Sequence, residues 1–170
     1  RAPGYEADDI IGTLTLNHGG AMAVDVVTGD RDLLQLVDDA RQVRVLYTGK
    51  GGVREPDIVT QSLLQEKYGV PDGRGYLEMS IMRGDTSDGL PGVRGIGDKT
   101  AAALIAEFGS LAALREAVDT GDPRIKGARR TNLEAAGAYL DVAPTVVAVA
   151  HDVPLTPQSY ALPTEISDPA

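Results

Sequence analysis

A chain of 170 residues with 42% hydrophobic and 24% charged content is long enough to bury a core and is not composed like a disordered segment. Its net charge of −9 and its lack of cysteine exclude a disulfide framework, thiolate metal ligands and a uniformly basic surface. No apolar run approaches the roughly 20 residues of a membrane span and no signal-peptide pattern opens the chain, so a cytoplasmic protein without membrane partners is expected.

Glu6 to Asn17 carries Ala7, Ile10, Ile11 and Leu14 at the spacing of an amphipathic helix, which stops near Gly19 and Gly20. Ala21 to Thr28 reads as a buried, Val-rich strand. After Gly29 a short helix bears Leu33, Leu34, Leu36 and Val37, and Gln42 to Tyr47 gives a second strand. Strand, short helix, strand predicts a parallel pair with a compact crossover, as in α/β folds. Two strands alone are marginal in water, so further strands are expected before Arg1. Thr48 to Val53 is a glycine-rich turn that fails the P-loop pattern, because Lys50 is followed by Gly51 and no glycine stands at the required earlier spacing. Pro56 is expected at the first position of a helix running to about Tyr68 and closed by Gly69.

A helix over about Gly75 to Met82 delivers Gly84 and Asp85. Gly97 to Phe108 puts Ala101, Leu104, Ile105 and Phe108 on one face, with Gly109 just past its end and Ser110 capping the next helix. Asp122 and Pro123 are expected to start a further helix with a buried stripe of Leu133, Ala136, Gly137 and Leu140, which Pro144 ends or restarts. From Asp152 a Pro-rich tail follows without helical pattern. His18 and His151 are isolated and take no role.

Three stretches carry closely spaced acids, each at an element boundary: Glu6, Asp8 and Asp9; Asp30 and Asp32; Asp85 and Asp88. Asp30 and Asp32 follow directly on a strand, and ligands of open parallel sheets bind at the carboxyl ends of strands. Clusters of hard oxygen donors suit Mg²⁺ or Mn²⁺, and a pair of such ions can hydrolyse a phosphodiester. Each cluster alone is equally compatible with dipole complementation, capping or turn formation.

The stretch LPGVRGIGDKTA resembles the hairpin of helix-hairpin-helix elements, whose glycines expose backbone N–H groups to a DNA phosphate at a helix N-terminus. Gly92, Gly95 and Gly97 then permit close approach, Arg94 sits at the tip, and Lys99 and Thr100 add a charge and a hydroxyl. Lys126, Arg129 and Arg130 follow at i, i+3, i+4, either to track backbone phosphates or as a solvated basic face. At 4%, the aromatic content does not suggest a base-stacking platform.

Together EADD at Glu6 to Asp9, TGDRD at Thr28 to Asp32 and GDTSDGLPGVRGIGDKTAA at Gly84 to Ala102 resemble the bacterial 5′ nuclease family, meaning the 5′ to 3′ exonuclease domain of DNA polymerase I and stand-alone flap endonucleases. The likeness extends weakly through YLDVAP and HDVPL. It implies a PIN-like (Rossmann-like) α/β sheet, here partial, with a helix-three-turn-helix lobe. Residues 1–83 would be the C-terminal portion of the nuclease core, 84–150 the DNA-binding lobe and 151–170 an extended tail. Glu6 and Asp8 would serve one metal ion, Asp30, Asp32 and Asp85 a second, with Asp88 assisting and Asp9 ranked last. The hairpin would bind duplex DNA, with K⁺ held at its carbonyls.

The implied activity is 5′ to 3′ exonuclease or flap endonuclease cleavage of flapped, nicked or branched DNA by a monomer with two Mg²⁺ or Mn²⁺ ions. The family's first acids and its arch precede EADD, so the chain by itself is expected to be weakly active or inactive. The alternatives are a branched-DNA-binding module that does not cut, and a PIN-like enzyme acting on RNA.

Overall fold

In the computed structural model, residues 2–156 are described. Helix α1 (Ala7–His18) leads into strand β1 (Val24–Thr28), and a 3₁₀ turn over Asp32–Leu36 and a shorter one over Asp39–Arg41 carry the chain to β2 (Val43–Tyr47). β1 and β2 pair in parallel, Val24 opposite Val43 and Thr28 opposite Tyr47. The crossover is compact because Leu33, Leu34, Leu36 and Val37 are all buried against the sheet. The partial α/β sheet expected from the sequence is therefore present.

The stretch after β2 differs from expectation. Pro56 does not begin a helix: Asp57–Val59 forms β3, antiparallel to β2, and helix α2 spans only Gln61–Tyr68. The β-branched pair Ile58 and Val59 favours the extended form. Thr60 sets the helix start, its side chain accepting a hydrogen bond from the N–H of Leu63 at 3.4 Å. Gly69 closes α2 with φ +75°.

Helix α3 (Gly73–Arg83) is the central pillar, with Tyr76, Met79, Ile81 and Met82 essentially inaccessible. It packs on the 3₁₀ turn on one side and on α4 (Asp98–Phe108) on the other. Buried Glu78 fastens α5 (Leu111–Asp119), one carboxylate oxygen accepting the N–H of Leu111 at 2.9 Å and the other the Arg74 Nε at 3.2 Å. Gly109 and Ser110 fill the C-cap and N-cap roles expected of them.

The last helical segment is two helices, α6 (Gly127–Ala135) and α7 (Gly137–Val147). Pro123 lies in a turn closed by the N–H of Ile125 on the Asp122 carbonyl, so the helix begins four residues later than expected. The break falls at Ala136, while Pro144 is accommodated inside α7 near its end. The segment after α7 is pinned to α1: the Thr13 hydroxyl donates to the Ala150 carbonyl at 3.1 Å and the Val153 N–H donates to the Thr13 oxygen at 3.2 Å. The rest of the expected tail, residues 157–170, lies outside the described residues.

Tyr76 gives this core an alkaline limit. Its ring meets Tyr68 edge-on at 5.0 Å between centroids. Its hydroxyl, alone among buried side-chain polar atoms of the described residues, has no hydrogen-bond partner of acceptable geometry. Burial, then Tyr68, pushes the phenol from 10.0 up to about 12, with the Arg83 guanidinium opposing. A pKa raised by folding contributes stability that is intact below pH 10.0 and is lost as pH rises through about 12. Two units correspond to about 3 kcal/mol. Tyr76→Phe is therefore expected to retain more stability than the parent chain between these limits, as read by circular dichroism during alkaline titration.

Candidate metal centre and nucleic-acid interface

The acids reach one face through local turns. The Thr28 hydroxyl at the end of β1 accepts the Asp30 N–H at 3.0 Å, and Asp30 Oδ1 accepts the Asp32 N–H at 2.9 Å, which fixes both carboxylates at the carboxyl end of the strand. At the end of α3, Asp85 and Leu90 exchange backbone hydrogen bonds of 2.9 and 2.8 Å, closing the loop that carries Asp88. Asp85 Oδ1 accepts both the N–H and the hydroxyl of Ser87, and these bonds, hydroxyl first, hold its carboxyl below the usual 3.8. Glu6 caps α1, which presents Asp8 inward.

Two clefts result. One of about 410 Å³ is lined by Glu6, Asp8, Asp9, Asp30, Asp32 and Asp88. A second, of about 700 Å³, is lined by Asp30, Asp32, Asp85 and Asp88. The two therefore share Asp30, Asp32 and Asp88. Burial, then Asp30, Glu6 and Asp9, raises the pKa of Asp8. Burial, then Asp30 and Asp88, raises that of Asp32, with Arg83 partly opposing. Among the described residues no three acids close into a ready-made ligand cage. Repelling, partly desolvated carboxylates with no nitrogen or sulfur donor among them fit hard divalent cations.

Asp9, ranked last among the expected ligands, lines the first cleft while both of its oxygens are engaged by backbone. One of its oxygens accepts the Glu6 N–H at 3.1 Å and the other the Ala150 N–H at 2.8 Å, and these bonds, Ala150 first, lower its pKa. Its carboxylate joins α1 to the segment after α7. Arg31 and Arg83, which the sequence reading passed over, line the second cleft together with Asp98. Arg83 reaches Asp98 at 3.4 Å and donates to the Gly84 carbonyl at 3.2 Å, so it ties the acid corner to the first turn of α4. Their signal was adjacency: Arg31 lies inside TGDRD and Arg83 directly precedes GDTSD.

The three hairpin glycines do different work. Gly92 has φ +62°, and a Cβ there would lie 2.3 Å from the Arg83 carbonyl oxygen and 2.7 Å from the Gly84 nitrogen. It is needed for the hairpin to seat on the end of α3, not for an outside ligand. Gly97, the N-cap of α4, has φ −105°, and a Cβ there would meet nothing within 4 Å, so its backbone faces open space. Val93 and Ile96 are buried and anchor the turn, which is closed by the Ile96 N–H on the Val93 carbonyl at 3.0 Å. Arg94 and Gly95 stand exposed at its tip, and Asn132 Nδ2 supports the Arg94 carbonyl from α6 at 2.8 Å. Lys99 is exposed and Thr100 half-buried in the first turn of α4.

The basic stripe is shorter than expected. Lys126 is the N-cap of α6 and Arg129 lies exposed within it. Arg130 turns inward, its guanidinium donating to the carbonyls of Ile125, Val118 and Asp122. Those carbonyls end α5 and the following turn, so this charge serves the fold.

Residues 1–69 match the 5′-3′ exonuclease N-terminal resolvase-like domain, and residues 72–169 match the 5′-3′ exonuclease C-terminal SAM fold. A 5′-3′ exonuclease of Streptomyces coelicolor is 59% identical over 160 residues, covering 94% of this chain and 52% of the relative. DNA polymerase I of Mycobacterium bovis is 45% identical over 163 residues, covering 94% of this chain and 17% of that protein. The chain thus spans about half the length of the curated exonuclease relative. The bacteriophage T5 flap endonuclease, solved with DNA and metal ions, superposes with a TM-score of 0.70 at 22% identity, over 85% of this chain and 50% of that one, a likeness of fold. With both of its halves matched in the same order, the chain belongs to the 5′-3′ exonuclease family.

Proposed function

We propose that the chain carries part of the catalytic centre and the duplex grip of a metal-dependent 5′ nuclease. Its substrate is DNA with a 5′ flap, nick or branched end, hydrolysed at phosphodiester bonds by a cytoplasmic monomer. The observation that carries this reading is the meeting of acids from three separate sequence stretches in two clefts that share Asp30, Asp32 and Asp88. Support comes from the T5 relative of the same fold, which was solved with DNA and metal ions.

In this reading Glu6 and Asp8 would hold one Mg²⁺ or Mn²⁺ ion, and Asp30, Asp32 and Asp85 another, with Asp88, which lines both clefts, assisting. Divalent ions held there would supply polarisation of the attacking water and of the phosphodiester. The chain's own residues position the substrate: Gly95, Gly97, Lys99 and Thr100 receive a phosphate at the start of α4, while Arg94, Lys126 and Arg129 add charge. K⁺ at the hairpin belongs to the same proposal, because each carbonyl oxygen there keeps a second lone pair.

Asp30→Asn, placed in a protein of the relatives' full length, is expected to abolish Mn²⁺-dependent cleavage of a labelled 5′-flap duplex while duplex affinity stays within about twofold. Gel-shift and cleavage assays on the same preparation separate the two. Loss of binding together with cleavage would count against a metal role for Asp30.

A further inference from the structure

Beyond the acid clefts lies a cavity of opposite character. It has a volume of about 250 Å³ and is lined by Arg31, Lys50 and Lys67, by the rings of Tyr47 and Tyr68, and by Asp57 among others. Three cations face one acid, in a chain whose formal net charge is −9. Asp57 is paired with Lys67 at 2.9 Å and also feels the charge of Lys50. The pocket therefore keeps a positive excess after its internal pairing.

Arg31 and Tyr47 line both this pocket and the 700 Å³ acid cleft. The two spaces are thus neighbours across one shared wall. That wall is held in place: Arg31 Nε donates to the Tyr47 hydroxyl at 3.4 Å. Gly49 lies so close that a Cβ there would come within 2.3 Å of the Tyr47 ring. The glycine-rich turn after β2, which fails as a P-loop, has its explanation here: it folds over the tyrosine and brings Lys50 to the rim.

We propose that this pocket is a subsite for one nucleotide of a single DNA strand, next to the bond that the acid cleft holds. The nucleotide's phosphate faces Arg31, Lys50 and Lys67, and its base rests against Tyr47. Cationic rims hold backbone phosphate, and a single aromatic ring accepts any base by stacking, so recognition there is independent of sequence. The low overall aromatic content does not bear on a site that needs one ring. This inference rests on the cleavage reading only for its place beside the cleaved bond, because the pocket's own chemistry selects a nucleotide unaided.

The test is amide NMR of the 170-residue chain titrated with 5′-phosphorylated tetrathymidylate in EDTA. Shifts are expected at Tyr47, Gly49, Lys50 and Lys67. Lys50→Glu combined with Lys67→Glu should raise the apparent Kd roughly tenfold. Lys50→Ala alone, at an exposed position, serves as the milder variant and should weaken binding by about threefold. Shifts confined to residues 94–100, or an unchanged Kd in both variants, would overturn the subsite. A separate Mn²⁺ titration reads the acid cleft through line broadening near Asp30 and Asp85. Absence of broadening with the nucleotide shifts intact would reject the cleavage reading while supporting the pocket.

Discussion

Asp32→Asn is expected to raise the thermal stability of the metal-free chain while removing most of its affinity for divalent cations. Asp32 is half-buried, and burial, Asp30, Asp88 and Asp85 all disfavour its charge, with only Arg83 opposing. A carboxyl whose folded pKa lies above its ordinary 3.8 contributes stability that is fully present below that value and lost as pH rises through the folded pKa. At neutral pH without metal the ionised group is therefore a liability, and the neutral amide relieves it. Solvent screening at a partly exposed site limits the gain to a few degrees in Tm. The same charge is what a cation needs, so Mn²⁺ affinity by calorimetry should fall at least about tenfold. In a protein of full family length, turnover should drop by a factor on the order of a thousand, about 4 kcal/mol of transition-state stabilisation. An Asp32→Asn chain that is both less stable and equally good at binding Mn²⁺ would place this carboxylate among structural acids instead.

The second large effect separates two glycines that sequence reading treats alike. Gly92→Ala puts a methyl group 2.3 Å from the Arg83 carbonyl oxygen at φ +62°. The three nearest atoms are all backbone of Arg83 and Gly84, so no flexible side chain can give way. Overpacking and left-handed strain together should cost about 3 kcal/mol or more, lowering Tm by roughly 6 to 12 °C. Gly97→Ala meets nothing within 4 Å at φ −105°. Its stability cost should stay within about 1 kcal/mol, the ordinary penalty for alanine at an N-cap. DNA affinity should nevertheless fall, because the added methyl group occupies the approach of a phosphate to the start of α4. Calorimetric unfolding and fluorescence anisotropy with a nicked duplex read the two effects separately.

Periodicity and capping residues made most of the helices legible. Leu104 and Ile105 announced α4 because a buried stripe must recur with the helical turn, and Gly109 and Ser110 marked its boundary with α5 through backbone geometry. Where two local signals competed, the sequence misled. Pro56 suits a helix start, yet Ile58 and Val59 found a partner strand in β2 that no local pattern reveals. Pro123 likewise gave way to a turn. Among candidate site residues, the acids stood out because closely spaced carboxylates at element ends are conspicuous. What each carboxylate bonds to was not legible. Asp9 and Arg130 carry the right charges for ligand and phosphate, but their partners, Ala150 and the carbonyls ending α5, come from segments whose approach depends on tertiary packing.

The segment after α7 touches both sides of the acid cleft. Asp8 rides on α1, whereas Asp30 and Asp32 ride on the sheet. Gln35 links the sheet side to this segment, donating to the Val147 carbonyl at 3.2 Å and accepting the Val149 N–H at 3.1 Å. Asp9 links the α1 side through Ala150. The separation of the opposed carboxylates is therefore set by one short segment, held by these hydrogen bonds and by the packing of Val149 and buried Val153. One stretch of backbone is thus common ground for both walls of the cleft, so a substitution that shifts it moves the α1 acids and the sheet acids relative to each other.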